Sequence, residues 1–184
     1  MIRGEKVELT ALSAGSVEKI LKWVNIPEMK PLTGTIFPVS EFEHKEWILE
    51  RAKAKYDKLF VIRIIDSETE IGTIGMKNTD FINGNVELFM SIGEERARRK
   101  GYGIDAINAL ANFCFNRLRL HKVFISVFSF NVSAMDSYMK VGFIVEGVLK
   151  EHCFINGQYY DLVYMSRIKH HETDSVGEIN DFGI

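Results

Sequence analysis

The chain has 184 residues, of which 46% are hydrophobic and 26% charged, and its formal net charge at pH 7 is −2. This length and composition predict a single domain with its own hydrophobic core. The small net charge argues against a nucleic-acid-binding surface. No apolar run is long enough to cross a membrane, and the first residues lack a secretory signal, so we expect a cytoplasmic protein with no membrane partner.

Hydrophobic periodicity and turn residues divide the chain into strands and helices. One helix start is marked by Ser40 followed three residues later by Glu43, which is the pattern of a capping box. The predicted elements are strands at Val7–Leu12, Leu59–Ile65, Glu70–Lys77, Val86–Ile92, Val123–Phe128, Phe143–Val148 and Tyr159–Ile168, and helices at Ser16–Asn25, Ser40–Tyr56, Tyr102–Leu118 and Asn131–Lys140.

The order of these elements predicts an α/β (α+β) domain. Hairpins are expected across Asn83-Gly84 and Asn156-Gly157, and a β-α-β-α-β portion follows the first of them. This order predicts a mixed, mostly antiparallel central sheet with helices on both faces. The sequence becomes polar after Lys169, so we expect one domain over 1–170 and a flexible C-terminal tail over 171–184.

A basic loop containing glycine joins the strand at 86–92 to the helix at 102–118. Four basic residues lie within positions 96–100, and Gly101 and Gly103 follow them. Glycine lets the backbone come close to a ligand and turn its N–H groups toward it. The helix N-terminus adds a partial positive charge. The loop therefore has the features of a pyrophosphate site, and the alternative is a solvated basic turn.

The same glycines also fit the G-x-G-x-x-A pattern of dinucleotide-binding folds, as Gly101-x-Gly103-x-x-Ala106. Three features argue against that fold. Eight residues separate Ile92 from Gly101, whereas the dinucleotide turn is tight. The next strand ends without an acid to hold a ribose, and hairpins precede the loop. A phosphate-binding Walker loop is excluded because no G-x-x-x-x-G-K-S/T occurs.

The segment Arg98-x-x-Gly101-x-Gly103 resembles the acyl-CoA pyrophosphate motif of the GNAT superfamily, Gln/Arg-x-x-Gly-x-Gly/Ala. Further stretches resemble the branch that holds ribosomal-protein N-terminal acetyltransferases and spermidine acetyltransferases. The resemblance extends over residues 5–168. The stretch at 154–159 is particularly similar to the spermidine enzymes. The basic glycine loop before the helix at 102–118 is one residue longer than theirs. These stretches lie at 23–28, 44–48, 100–103, 120–123, 131–147 and 154–159.

The resemblance implies an acetyl-CoA-dependent N-acetyltransferase that moves the acetyl group directly to a primary amine. It also implies that CoA enters between the strands at 86–92 and 123–128, and Gly93 is expected to permit a bulge that separates them. No metal is expected. The residues expected to bind acetyl-CoA are Met90, Ser91, Ile92, Arg98, Arg99, Lys100, Gly101, Tyr102, Gly103 and Asn131.

Two residues are candidates for catalysis. By resemblance, Tyr138 lies beside the CoA sulfur, where a phenol with a pKa near ~10 can protonate the leaving thiolate. Its alternative role is aromatic packing. Glu87 is the candidate base, acting directly or through water, and its alternative role is a polar strand residue that faces solvent. Asn131 can cap the short helix and also contact the pantetheine arm.

The acceptor amine is the least determined part of the prediction. Glu28 and Glu41 lie in or beside the proline-marked loop, where carboxylates could bind a cationic amine. We place a protein N-terminus first, with a small polyamine such as spermidine or an amino sugar as alternatives. A CoA-binding regulatory domain is the non-enzymatic alternative, and the presence of Tyr138 argues against it. The resembled branch includes dimers and dodecamers, so homo-oligomerisation stays open.

Overall fold

The computed structural model describes residues 2–169 of the chain. A short 3₁₀ turn, Glu95–Ala97, lies in the loop between the fifth strand and the fourth helix. The elements in chain order are β1 (Ile2–Arg3), β2 (Val7–Thr10), α1 (Ala14–Val24), α2 (Lys30–Thr33), α3 (Glu41–Lys53), β3 (Leu59–Ile64), β4 (Glu70–Asp80), β5 (Asn85–Ile92), α4 (Tyr102–Asn116), β6 (Lys122–Phe128), α5 (Val132–Met139), β7 (Ile144–Ile155) and β8 (Gln158–Ile168).

The strands form one sheet in the order β1-β2-β3-β4-β5-β6-β8-β7. Within residues 2–169, β5 and β6 are the only parallel neighbours, and every other adjacent pair is antiparallel. The predicted mixed, mostly antiparallel sheet is therefore confirmed. The tail predicted over 171–184 lies outside the described residues. No helix within 2–169 combines the length and apolar character needed to span a membrane.

The residues of β5 alternate between the two faces of the sheet, and each face packs against different helices. Val86 and Leu88 are fully buried and belong to the main core, which also contains the inner face of α4. Phe89 and Ser91 lie on the opposite side, because neighbouring strand residues point to opposite faces. They line a cavity beneath α1 and α3. Helices thus cover both faces, as predicted.

The sheet divides after Glu87. β5 and β6 pair only through Asn85–Glu87 and Lys122–Phe124. Beyond this point β5 stays paired with β4 as far as Ile92, and β6 stays paired with β8 as far as Phe128. A gap therefore opens between two strands that are each held by their outer neighbour.

Gly93 does not cause this separation, which begins several residues before it. The register shift on this side of the sheet lies in β4, between Lys77 and Asp80. Gly93 is instead required by packing, since a Cβ atom there would collide with the ring of Trp23. The bulge expected at Gly93 is thus wrong, because close packing and not a bulge accounts for the glycine.

The first turn of α4 anchors the N-terminal hairpin. The Asp105 carboxylate accepts hydrogen bonds from the backbone N–H groups of Glu5, Lys6 and Val7, with N···O distances of 2.9, 2.8 and 2.9 Å. Gly4 lies directly against the same carboxylate. The strand β1 was not predicted because it has only two residues and depends on this long-range contact.

Helix boundaries follow their capping residues. The Ser40–Glu43 capping box is confirmed, although the helix ends at Lys53 instead of Tyr56. The first helix begins at Ala14, earlier than predicted, because Ser13 and Ser16 form a second capping box. The proline-marked loop contains the short helix α2, which ends at Gly34 in a left-handed conformation.

The predicted hairpins differ in their turns. Asn156 and Gly157 both have positive φ values, 50° and 84°, as a two-residue turn of the primed type requires. At the other hairpin only Gly84 has a positive φ, so β4 and β5 are joined by the longer loop 81–84. The strand β7 extends to Ile155, well beyond the predicted end at Val148.

We predict that Gly93→Ala lowers the free energy of unfolding by about 1–3 kcal/mol, the usual cost of overpacking a filled site. The Trp23 ring has little freedom to move, because it is buried and its Nε1 donates to Glu94 over 2.9 Å. The measurement is urea unfolding followed by tryptophan fluorescence. Gly147→Ala is the control, since a Cβ there meets no atom within 4 Å, and equal stability of the two variants would contradict the packing argument.

Candidate active site

The N-terminus of α4 presents four backbone donors without acceptors. Gly101 is the N-cap residue, with φ +83°, and no side chain caps this helix. The N–H groups of Gly101, Tyr102, Gly103 and Ile104 have no hydrogen-bond acceptor in the part of the chain that the structure describes. Such groups at the positive end of a helix dipole form an anion site. This cradle, residues 101–104, fits a pyrophosphate.

The two glycines of the cradle have separate structural reasons. Gly101 has a left-handed backbone conformation that side chains rarely adopt. Gly103 lets the helix approach β5, because a Cβ atom there would lie 2.7 Å from the Met90 Cε. The cradle and the free edge of β5 are therefore adjacent.

Arg98 holds the loop in shape from within. Its Nε donates to the Ile92 carbonyl over 3.1 Å, and its Nη2 donates to the Gly93 carbonyl over 3.2 Å. The Arg98 guanidinium therefore uses these donors to fasten the loop to the end of β5. Arg99 and Lys100 are exposed on the outside of the same loop, and they add positive charge around the cradle.

Lys6 lies beside the cradle and was missed by the sequence analysis. Its Nζ is 3.4 Å from the position that a Cβ on Gly101 would occupy. It forms no ion pair with any described residue. The hydrogen bonds from the hairpin to Asp105 bring the lysine here. No local pattern could have revealed it, because the two segments are far apart in the chain.

Tyr138 is buried on the short helix that follows β6. It lies on α5, which Asn131 caps by accepting a hydrogen bond from the Ala134 N–H over 3.3 Å. The tyrosine is only 5% exposed and packs against Phe143, with 5.9 Å between ring centroids. Burial raises the pKa of Tyr138 to about 12. Its hydroxyl has no hydrogen-bond partner within residues 2–169, yet it is not sealed from solvent.

Glu87 lies where β5 and β6 separate. Its Oε1 accepts from the Ser126 hydroxyl over 3.0 Å and pairs with Lys77 Nζ at 3.1 Å. Its Oε2 accepts from the Asn78 amide over 3.1 Å. The residue is only 8% exposed, so the alternative of a solvent-facing strand residue is wrong. The carboxylate instead links three strands at the mouth of the gap.

A cavity of about 680 Å³ lies on the α1 and α3 side of the sheet. Its floor comes from β4 and β5, and its walls come from α1, α3 and the loop before α3. The lining is mainly apolar and aromatic. It includes Trp23, Phe37, Trp47 and Phe89, with Thr73 and Ser91 as polar members of the floor.

The two glutamates expected to bind the acceptor do not line this cavity. Glu28 is exposed elsewhere on the loop. Glu41 faces solvent, where it forms a long ion pair with Lys45 at 3.9 Å. Glu43 is the carboxylate that the lining contains, and hydrogen bonds from Ser40 lower its pKa. The helix periodicity of α3 decides this, since positions 41 and 43 lie on different sides.

The buried cysteine of the core, Cys114, is not a candidate nucleophile. Burial raises the pKa of Cys114 to about 12, so this thiol stays protonated at neutral pH and is not nucleophilic. Cys153 is half-buried on the edge strand β7. Residues 2–169 contain no group of three His, Cys, Asp or Glu side chains placed to hold a metal ion.

Residues 6–144 match the family described as Acetyltransferase (GNAT) domain. The chain belongs to this family. It is an acyl-CoA N-acetyltransferase, and acetyl-CoA is its co-substrate. The GNAT fold accounts for the single parallel strand pair and for the helices on both faces of the sheet.

Several curated proteins resemble this acetyltransferase in sequence. The SPbeta prophage-derived uncharacterized N-acetyltransferase YokL of Bacillus subtilis is 30% identical over 68% of this chain and 69% of its own. The spermidine N(1)-acetyltransferase of Vibrio cholerae is 34% identical over 52% of this chain and 54% of its own. The putative ribosomal N-acetyltransferase YdaF of Bacillus subtilis is 28% identical over 72% and 73%.

A solved structure shares the fold closely. The Vibrio cholerae spermidine N-acetyltransferase in complex with CoA and spermine superposes with a TM-score of 0.81 and 26% identity. The match covers 89% of this chain and 95% of that one. The relatives thus include enzymes of polyamines and a protein assigned to ribosomal substrates, and they leave the acceptor of this acetyltransferase open.

We predict that Gly101→Asp weakens CoA binding at least about tenfold, equivalent to about 1.4 kcal/mol. The carboxylate would repel the phosphates, and the side chain would strain the left-handed backbone. Isothermal titration calorimetry with CoA measures the change. Gly157→Asp is the matched control, because Gly157 has almost the same φ, +84°, in the distant β7–β8 turn. Equal affinity of the two variants would remove the cradle from the CoA site.

Proposed function

We propose that this acetyltransferase transfers the acetyl group of acetyl-CoA directly to the α-amine of a protein N-terminus. The observation that carries the proposal is the cavity beside β5, which is mainly apolar and has one carboxylate, Glu43, in its lining. A peptide N-terminus needs one polar position for its amine and apolar room for its first side chain. A polyamine would need several carboxylates along its length.

The proposed path of acetyl-CoA follows the gap between β5 and β6. The pyrophosphate occupies the cradle at 101–104, with Arg99 and Lys100 outside it. The pantetheine arm pairs with the free edge of β5 at Met90–Ile92, like an added strand, and passes Asn131. Support comes from the geometry, since this edge has no strand partner beyond Glu87 and adjoins the cradle through Gly103.

Tyr138 is the proposed acid. The amine nitrogen attacks the thioester carbon, the C–S bond breaks, and the phenol gives its proton to the leaving sulfur. With a pKa of about 12, Tyr138 is fully protonated at neutral pH. It is also a weaker acid than a free phenol, so its proton moves only as negative charge develops on sulfur.

Glu87 is the proposed base, acting through a water molecule. Both of its oxygens already accept hydrogen bonds, from Ser126 and Asn78. These bonds and the pairing with Lys77 hold the carboxylate in place where the strands separate, and a water at the gap can relay the proton to it. Its pairing with Lys77 places this carboxylate on the cavity face of the sheet.

Polyamine acetylation is the second candidate, and the likeness to the Vibrio cholerae spermidine enzyme favours it. The charges in the cavity lining argue against a polyamine acceptor. The lining holds two cationic side chains, Arg51 and Lys77, against one carboxylate. Lys77 is already paired with Glu87, so the guanidinium of Arg51 is the cation that repels a ligand with several positive charges, and one carboxylate cannot pair with all of those charges.

The test of the acceptor is a thiol-release assay with acetyl-CoA and a panel of amines at equal concentration. We expect turnover with Ala- or Ser-initiated peptides and none with the same peptides blocked at the N-terminus. Spermidine and glucosamine serve as the competing acceptors. Robust turnover of spermidine without any turnover of peptides would reverse the ranking and leave the family assignment intact.

We predict that Tyr138→Phe lowers kcat by about 10²–10⁴-fold with little change in CoA affinity. The ring and its packing against Phe143 remain, so the fold is retained. Because the pKa is raised, wild-type activity has no loss from Tyr138 deprotonation up to pH 10. Steady-state kinetics across this pH range measure both effects. Tyr160→Phe, in β8 beyond the gap, is the control, and full activity of Tyr138→Phe at every pH would exclude the acid role.

A further inference from the structure

The acceptor cavity contains one cationic side chain that forms no ion pair with a described residue. Its lining includes the charged residues Glu43, Arg51 and Lys77. The Glu43 carboxylate accepts hydrogen bonds from the backbone and hydroxyl of Ser40, at 2.9 and 2.7 Å. Lys77 is paired with Glu87 at 3.1 Å. Arg51 is therefore the cationic residue of the lining that forms no ion pair with any described residue.

Arg51 is held in position by aromatic rings. Its guanidinium carbon lies 5.7 Å from the ring centroid of Trp47 and 5.8 Å from that of Phe89. Both rings also line the cavity. The guanidinium carbon lies over both rings at cation–π distance. This interaction uses no N–H group in a conventional hydrogen bond, so the donors of Arg51 stay available. Throughout residues 2–169 this side chain forms no ion pair and donates no hydrogen bond.

Asp57 is a carboxylate that Arg51 affects without pairing with it. Burial raises the pKa of Asp57, but hydrogen bonds from Thr79 and Asn78 and the charge of Arg51 outweigh it and lower this pKa. Its oxygens are already used, because they accept hydrogen bonds from the backbone of Asn78 and Thr79 and from the Thr79 hydroxyl. These bonds fix the irregular end of β4. Asp57 therefore uses its hydrogen bonds to stabilise the strand. Its negative charge acts on Arg51 only through space, and the guanidinium keeps its N–H groups free of any ion pair with this carboxylate.

An unpaired arginine has a direct consequence for the acceptor. Arginine stays charged at every physiological pH, and a primary amine arrives mostly as a cation. Two positive charges in one partly enclosed cavity repel each other. A negative group on the acceptor removes this repulsion, and the fork of guanidinium N–H groups matches a carboxylate in two parallel hydrogen bonds.

We propose that the acceptor carries a carboxylate close to its amine and that Arg51 binds it. This inference rests on the proposed function. For a protein N-terminus, the carboxylate comes from Asp or Glu at the second position. The α-carboxylate of a free amino acid offers the same chemistry from a different source. Arg51 is thus a specificity-determining residue.

The experiment compares peptides that begin Ala-Asp and Ala-Asn and are otherwise identical. These peptides have the same shape and differ in one charge. The wild-type enzyme is expected to prefer Ala-Asp by about tenfold in kcat/KM, mainly through KM, as expected for a binding contact. Arg51→Gln is expected to lose this preference, so that its kcat/KM values for the two peptides become similar.

Lys45→Gln is the matched control, because Lys45 lies on the same helix but faces solvent and pairs with Glu41. It should keep the preference of the wild type. Arg51→Lys keeps the charge without the planar fork, so it should keep only part of the preference. Melting temperatures of all variants show whether the fold is retained.

A second pair, free alanine and alaninamide, separates the two sources of the carboxylate. Preference for alanine that disappears in Arg51→Gln would assign the α-carboxylate as the ligand. Calorimetry of the same compounds on CoA-loaded protein measures the preference without turnover. Failure of every peptide in the thiol-release assay would therefore reject the proposed function alone. Equal binding of the charged and neutral partners by the wild type, or an unchanged preference in Arg51→Gln, would overturn the inference.

Discussion

β5 and β6 hydrogen-bond to each other over only three residues and then separate, and the site depends on this short pairing. β5 stays paired with β4, and β6 stays paired with β8, so both strands remain hydrogen-bonded on their outer sides along the gap. The free edge of β5 leaves backbone donors and acceptors unpaired, which proteins usually avoid. An extended ligand arm that pairs with this edge would satisfy them. Glu87 holds the strands together at the point of separation.

Three side-chain contacts fix the position of the α4 N-terminus. Arg98 fixes the loop from the end of β5, Met90 packs against Gly103, and Asp105 fastens the N-terminal hairpin to the first helical turn. These contacts use side chains and leave the backbone N–H groups of the cradle free. The donors are therefore preorganised for an anion, which lowers the ordering cost of binding.

Local patterns in the sequence determined much of the fold. Alternating apolar residues and capping residues located most strands and helices, because hydrogen bonds within a few residues decide these elements. The Asn156-Gly157 turn was predictable for the same reason. The basic loop before α4 indicated a pyrophosphate site from glycine and charge alone. Elements that depend on distant partners, such as β1 and the extension of β7, were missed or shortened.

Which side chains meet was decided by the tertiary structure. The pattern could place Glu28 and Glu41 near the acceptor loop but not show that both point away from the cavity. It gave no signal for Lys6 beside Gly101 or for Arg51 between Trp47 and Phe89. Sequence by itself located most of the elements, indicated the family and marked the loop that is proposed to bind the pyrophosphate. The balance of charge around the acceptor came only from packing, because it depends on which residues pair across strands and helices far apart in the chain.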